Sequence, residues 1–525
     1  MSKPDNDSLY RLIHSLNKSE KRMFKVYANR LSSNHADDKK FIILFDAIAS
    51  QKKYDEDKIR KKNPSLSKNQ FSNIKQHLYR QILKCLRTAT HTSPADMQIT
   101  ELVDQAKILY HKCLYPDALK IIDKAKKAAL KKDLSFLFLE LLELEKLALQ
   151  QGMKENIETR INEITFESTE TIRTLQLINH FSNLSLKLNS IYQKAGFIRN
   201  RIDLDTISGF FINSLPAYDE KKLSFQEKMY LYYAYTGYYF FIQDFEKGLN
   251  YALRWENLFE ENPEMIPLKT EMYIKALNSV LVAQNKLYLY HDFMITHRKL
   301  VGIKRNKNIL LTENINLTLF RTIYIHEINR HFMLGEFKSG TRIVSKFENE
   351  LNNFIPKLDK NTVMLFYYKI ACLYLGSGNF KASLKWLNKT IQESDAGIRE
   401  DLNSFARILK LICYFELNDE EMIESNIRSA YRFLLKKENF IRYQQYITSF
   451  LRGLRKDITR EQIIDRFNAL KNQMTELEKV PFQRRAFLYF DIISYLESRI
   501  QGKTIEEVVQ EKAKIRIFAK EPNSK

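Results

Sequence analysis

Tyr367-Tyr-Lys-Ile-Ala-Cys-Leu-Tyr-Leu-Gly-Ser-Gly-Asn-Phe-Lys-Ala-Ser383 joins an aromatic, apolar run to a Gly- and Asn-containing turn, then to an aromatic and a second amphipathic run through Leu384 and Leu387. Apolar residues at helical spacing on both sides of a turn specify two helices that share one apolar seam. The pattern recurs. Tyr232-Tyr-Ala-Tyr-Thr-Gly-Tyr-Tyr-Phe-Phe-Ile-Gln-Asp-Phe-Glu-Lys-Gly248 runs on to Ala252 and Trp255, and Cys113-Leu-Tyr-Pro-Asp-Ala-Leu119 runs on to Ile122 and Ala125. Ala195-Gly-Phe197 and Leu334-Gly-Glu-Phe-Lys-Ser-Gly340 are weaker copies. With one degenerate unit in each of the two long gaps, near Gly152 and Tyr288, the anchors Tyr115, Phe197, Phe245, Phe337 and Phe380 recur about every 44 residues.

Composition agrees with a chain of long helices. Its 525 residues include only 13 Gly and 10 Pro, too few for phosphate-cradling loops, tight hairpins or long disordered linkers. Asn17 with Glu20, Thr459 with Gln462 and Thr504 with Glu507 have the spacing of capping boxes, while alternating strand patterns are scarce. The fold class expected is all-α. No apolar run is long enough to span a membrane, and residues 1–17 lack the basic and apolar regions of a secretory leader. Cys85, Cys113, Cys372 and Cys413 never approach metal or redox spacing, which implies buried reduced thiols and a cytoplasmic chain.

Linear chemistry is missing. No phosphate-binding loop or nucleophile elbow occurs, and Gly376-Ser-Gly378 lacks the third glycine of a dinucleotide fingerprint. His326-Glu-Ile-Asn-Arg-His331 superficially suggests a zinc-protease helix, but histidines five apart point about 140° away from one another. Two ordinary histidines on a helix surface are expected there. Glu420-Glu421 and Glu506-Glu507 fall at helix starts, where the macrodipole accounts for them. The expectation is therefore a non-enzymatic protein with no cofactor and no metal.

The repeated segments resemble tetratricopeptide repeats, over roughly residues 98–440. The small residues of such a repeat fall on Ala371 and Ser383, its aromatics on Tyr374 and Phe380; Ala106 and Ala118 flank Tyr115 in the same way. The period departs from the family by being longer. An α-solenoid of degenerate helix pairs is implied over residues 96–440, between a basic helical domain at 1–95 and a helical C-terminal cap at 441–525. In this cap, helices are expected near 441–455, 460–477, 482–500 and 504–519, with Pro481 opening the third. The resemblance puts the concave face on Tyr230, Tyr233, Gly237, Phe240 and Phe241 in one unit. In the next two it falls on Thr322, Ile325, Asn329, Phe332 and Met333, then on Leu365, Tyr368, Cys372, Leu375 and Gly376. The carboxylate clamp of the family's chaperone-binding members is not expected, because Tyr233, Ile325 and Tyr368 stand where it needs Lys or Arg. Tyr230, Tyr233, Phe240, Phe241, Asn329 and Tyr368 are the candidate groove for a peptide or helix, unless these aromatics are plain core.

Charge suggests the alternative. Of the formal excess of +21, more than half lies in residues 1–95, which hold 20 Lys+Arg against 9 Asp+Glu. A field of that sign favours acidic proteins or nucleic acid. Four short helices are expected at Leu9–Leu16, Ser19–Leu31, Lys39–Ser50 and Asp55–Lys62, then a long one from a Ser67 cap to Arg87. Leu16-Asn-Lys-Ser-Glu-Lys-Arg22 and Leu78-Tyr-Arg-Gln-Ile-Leu83 are similar to the opening domain of an uncharacterised bacterial type of tetratricopeptide-like protein. Phe71, Ile74, Leu78, Ile82 and Cys85 form one stripe of the long helix, and the opposite arc carries Asn69, Asn73, Gln76, Arg80, Lys84 and Arg87. Amides and guanidiniums read base edges and lysines meet phosphates. With the preceding helix they make a loose helix-turn-helix layout, and the same side chains also suit any solvated helix face.

Overall fold

A computed structural model of the chain describes residues 8–31, 36–66, 68–88, 95–151, 157–195, 197–198, 200–393, 399–435, 442–453, 460–480, 482–483, 487 and 490–518. Among the described residues there are helices and no strand. The chain is all-α. It divides into two compact units, Met1–Lys112 and Cys113–Lys525.

The first unit contains α1 (Ser8–Ser15), α2 (Lys18–Leu31), α3 (Ala36–Ala49), α4 (Glu56–Lys62), α5 (Lys68–Thr88) and α6 (Ala95–His111). The Asn17 side chain accepts from the Glu20 amide at 2.9 Å while Glu20 accepts from the Asn17 amide at 2.8 Å, the reciprocal cap expected there. Ile13, Phe24, Phe45, Leu78 and Ile82 are fully buried in one core, with the Phe24 and Phe45 rings 4.7 Å apart. Ser67 lies outside the described residues.

The second unit begins with α7 (Tyr115–Lys131), α8 (Ser135–Gln151), the 39-residue α9 (Ile157–Ala195) and α10 (Arg201–Ser214). It continues through α11 (Phe225–Phe241), α12 (Phe245–Glu260), the short α13 (Met265–Leu268), α14 (Thr270–Lys286), α15 (Tyr290–Gly302), α16 (Glu313–Leu334) and α17 (Phe337–Phe354). Next come α18 (Lys360–Gly376), α19 (Phe380–Gln392), α20 (Glu400–Glu416), α21 (Glu420–Leu435), α22 (Arg442–Gly453), α23 (Arg460–Lys479), α24 (Ile492–Gln501) and α25 (Ile505–Phe518). Each of α11, α14, α16, α18 and α20 packs against the helix or pair that follows it, and α14, α16, α18 and α20 stack in succession. This is an α-solenoid, a helical repeat array.

One turn punctuates the repeats. Gln243, Tyr288, Gly335, Gly378 and Asn418 all have positive φ, each between the two helices of a pair and 40 to 47 residues from the next. The amide after each returns to a carbonyl five residues back: Asp244 to Tyr239, Leu289 to Gln284, Glu336 to His331, Asn379 to Tyr374 and Asp419 to Tyr414, at 2.9–3.1 Å. This left-handed helix stop satisfies carbonyls that the helix end would orphan. The unit expected near Tyr288 is thus present with a tyrosine where glycine is usual; Gly152 lies outside the described residues.

Glycines admit the closest contacts. A Cβ on Gly376 would come within 2.5 Å of the Phe337 ring, and one on Gly248 within 2.5 Å of Phe240. Three expectations need correction. Cys113 is exposed, because it takes the left-handed turn position before α7. His326 and His331 are buried at 0% and 1% exposure, not surface residues, because neighbouring repeats cover α16 on both sides. The third C-terminal helix starts at Ile492, capped by Asp491, whose side chain accepts from the Ser494 amide at 3.0 Å; Pro481 lies outside the described residues. Thr504 and Glu507 do form the box that opens α25, while Thr459 lies outside the described residues.

The array also closes on itself. The Arg399 amide donates to the Gln193 carbonyl at 3.4 Å, bringing α20 to the end of α9. α25 returns to α16 and its turn: Gln510 donates to the Gly335 carbonyl at 3.2 Å, and the Lys338 amide to Glu506 at 3.2 Å. The C-terminal helices therefore reach back across three repeats as well as covering the last one.

Candidate functional site

Closure leaves a cavity of about 320 Å³ in the second unit, partly open to solvent. One wall is the successive repeat helices: Lys286 from α14; Ile325, Asn329, Phe332 and Met333 from α16; Leu365, Tyr368, Lys369 and Cys372 from α18. The opposite wall is the closing segments: Tyr192, Arg399 and Leu402 where α9 meets α20; Phe487, Phe490 and Asp491 before α24; Ile505, Val509 and Arg516 from α25. Tyr288, at its left-handed turn, faces the same space.

Basic groups converge on this mostly apolar space. Burial pushes the Lys286 ammonium down to about 7, with repulsion from Lys369 adding to it. Burial likewise pushes Lys369 down to about 8, and Arg399 repels it. Arg399 is held by Asp401 through two contacts of 2.8 and 2.9 Å. Arg516 lies over the Tyr288 ring, 4.5 Å from its centroid. Among the described residues, Asp491 is the acidic side chain of the wall.

Lys369 is oriented by a chain of side chains running into the core. Its Nζ donates to Asn329 Oδ1 at 2.6 Å and sits 5.4 Å from the Phe332 ring centroid. An ammonium can only donate, so the Asn329 atom it meets is the oxygen, and the amide nitrogen faces His326 Nδ1 at 3.2 Å. That nitrogen must accept, which places the imidazole proton on Nε2, 2.9 Å from Asn278 Oδ1. Burial first, then His297 and Lys369, hold His326 well below the usual histidine range, so the ring stays neutral and the polarity of the chain is fixed.

Of the six groove candidates, Asn329 and Tyr368 line the cavity. Tyr233 packs on Trp255 at 5.0 Å under Lys275, and Tyr230 packs on the same core. Phe240 rests against Phe245 and Phe241 is 4% exposed. These four belong to the packing around α11 and α12. Lys369 carried a sequence signal that repeat alignment passes over: it is the lone charge between Val363 and Gly378. Lys286 and Arg516 carried none, because distant segments bring them in.

In the first unit, Asn73, Gln76, Arg80, Lys84 and Arg87 are exposed along α5, while Phe71, Leu78, Ile82 and Cys85 are buried. Arg87 pairs with Asp104. A broad depression of about 1260 Å³ runs past Asp46, Lys53, Asp55, Glu56, Asp57 and Lys58; its mixed signs favour no one ligand charge.

Among the described residues, no His, Cys, Asp or Glu group could hold a metal ion, and no helix is long and apolar enough to cross a membrane. No protein-family model and no curated protein matches the chain. Among solved structures it is similar to NprR in complex with its cognate peptide NprX, at 13% identity and a TM-score of 0.41, over 74% of this chain and 98% of that one.

Proposed function

We propose that the chain is a non-enzymatic, cytoplasmic binding scaffold whose tetratricopeptide-like array captures a segment of a partner peptide in the cavity of the second unit. The observation that carries this reading is the cavity itself, walled by successive repeat helices. Apolar side chains dominate its lining while Asn329 and Lys369 stand ready to fix orientation. A space of about 320 Å³ fits a few side chains rather than a whole helix.

Solution panning of a random heptapeptide library on the full chain tests it, with Leu365→Trp as the variant that fills the cavity. Peptides retained by the native chain should be lost by a folded Leu365→Trp protein. Equal retention by both would remove the cavity from the proposal.

A second reading is favoured by α5: the first unit binds nucleic acid through Asn73, Gln76, Arg80, Lys84 and Arg87. Their common exposure opposite a buried apolar stripe is what supports it.

A further inference from the structure

Resting on the peptide-capture reading, we propose that the cavity recognises an organic carboxylate on an apolar body, its anionic head between the ammonium groups of Lys286 and Lys369. The body would lie against Phe332, Leu365 and Val509, which line the same space.

The charge arrangement points to an anion. Four cationic side chains, from α14, α18, the start of α20 and α25, share the cavity with Asp491, and Asp401 sits on Arg399. Arg399 is committed to Asp401, and Arg516 covers Tyr288. Lys369 has three donors, and the one acceptor it meets within the described residues is the neutral Asn329. Lys286 is near enough for the two ammoniums to repel. An anion between them would turn that repulsion into two charge-assisted hydrogen bonds.

The lining selects the class. Beyond the cationic groups and Asp491, the wall is largely aliphatic and aromatic, which suits an apolar body with a single small charged head. A singly charged head also costs less to desolvate there than a doubly charged one. The Asn278–His326–Asn329 chain supplies the rigidity. It fixes where Lys369 directs its remaining donors before any ligand arrives, which lowers the ordering cost of binding.

The carboxylate could belong to a peptide C-terminus or to a free small acid, and calorimetric titration of the full chain separates them. The probes are acetyl-leucyl-leucyl-phenylalanine and its C-terminal amide, decanoate and decanol, and decyl phosphate. Each acid should bind at least tenfold more tightly than its neutral analogue. Lys369→Met and Lys286→Gln should each erase that preference. The acid–neutral comparison is made on the unaltered protein, so it stands even if a variant folds poorly.

Equal binding of amide and acid would overturn the carboxylate proposal and leave peptide capture standing. Binding of decanoate with neither peptide form would support the proposal and sink peptide capture. Tighter binding of decyl phosphate than decanoate, or no binding of any probe below 1 mM, would overturn the proposal.

Discussion

Lys369 Nζ lies 2.6 Å from Oδ1 of Asn329, joining two repeats whose helices are forty residues apart in the chain. The contact is one step of a polar path through the interface between α16 and α18, and every step depends on the next. Asn329→Leu removes the acceptor of Lys369 and the donor to His326 together. Urea unfolding should show a loss of about 2–4 kcal/mol, the cost of two buried polar groups left without partners. A loss under about 0.5 kcal/mol would mean the path contributes nothing to stability.

Two glycines should respond to alanine with opposite signs. At Gly376 the added methyl meets the Phe337 ring at 2.5 Å, so that buried ring has to shift. Overpacking there should cost about 1–3 kcal/mol. Gly237 lies within α11 with nothing inside 4 Å of the added carbon. Gly237→Ala should raise stability by about 0.5–1 kcal/mol through the lost entropy of the unfolded chain. Thermal melts of both variants check the pair.

The repeat turn makes a third prediction. Gly378 has φ of +80° with open space around it, so only its backbone conformation resists a side chain. Gly378→Ala should cost about 1–2 kcal/mol, and Gly378→Asn less, since Asn418 already occupies the equivalent place.

Stability and binding should depend on pH through the cavity lysines. Lys286 and Lys369 have values near 7 and 8 against 10.5 ordinarily, so above about pH 7 the unfolded chain holds more protons than the folded one. Their contribution makes the second unit more stable as pH rises from about 7 toward 10.5. Carboxylate binding should move the other way, weakening by up to tenfold per pH unit for each proton taken up. The other titratable or charged groups around them are Arg399, Arg516, Asp491, Tyr192, Tyr288, Tyr368, Cys372 and His326. Burial raises the Tyr192 and Tyr288 phenols and the Cys372 thiol and lowers His326, so none of these four changes charge between about pH 7 and 9. Decanoate titrations at pH 6.5 and 9 with equal affinity would contradict the assignment.

For the first unit, duplex DNA and RNA titrations at several salt concentrations test the α5 face. If that face contacts phosphates, the Arg80→Ala/Lys84→Ala protein should bind more weakly, with a log–log salt slope smaller by about 1–2. Equal slopes for both proteins would eliminate those side chains as phosphate contacts.

Helices and their spacing were readable because apolar periodicity and turn chemistry are local. Thr504 and Glu507, four residues of sequence, suffice to mark a cap. The repeat turn was half hidden: Gly335 and Gly378 announce it, but Gln243 and Tyr288 adopt the same left-handed conformation without the usual residue. The cavity was hidden more deeply. Lys286 and Arg516 line one cavity only because α25 folds back on α16, and no local pattern encodes a meeting of segments so far apart. Four aromatics on α11 followed the expected repeat register yet pack into their own unit, since the same spacing serves core and groove alike.

The return of α25 to the Gly335 turn, 175 residues upstream, limits how this array could have grown. An open row of repeats gains or loses a unit at either end at little cost, because each contacts only its neighbours. Here an inserted or deleted pair between α16 and α24 would shift Gln510 off Gly335 and separate the cavity's two walls at once. The count of repeats is thereby fixed by geometry, and the second unit should melt in one cooperative step, in the manner of a ring rather than a row.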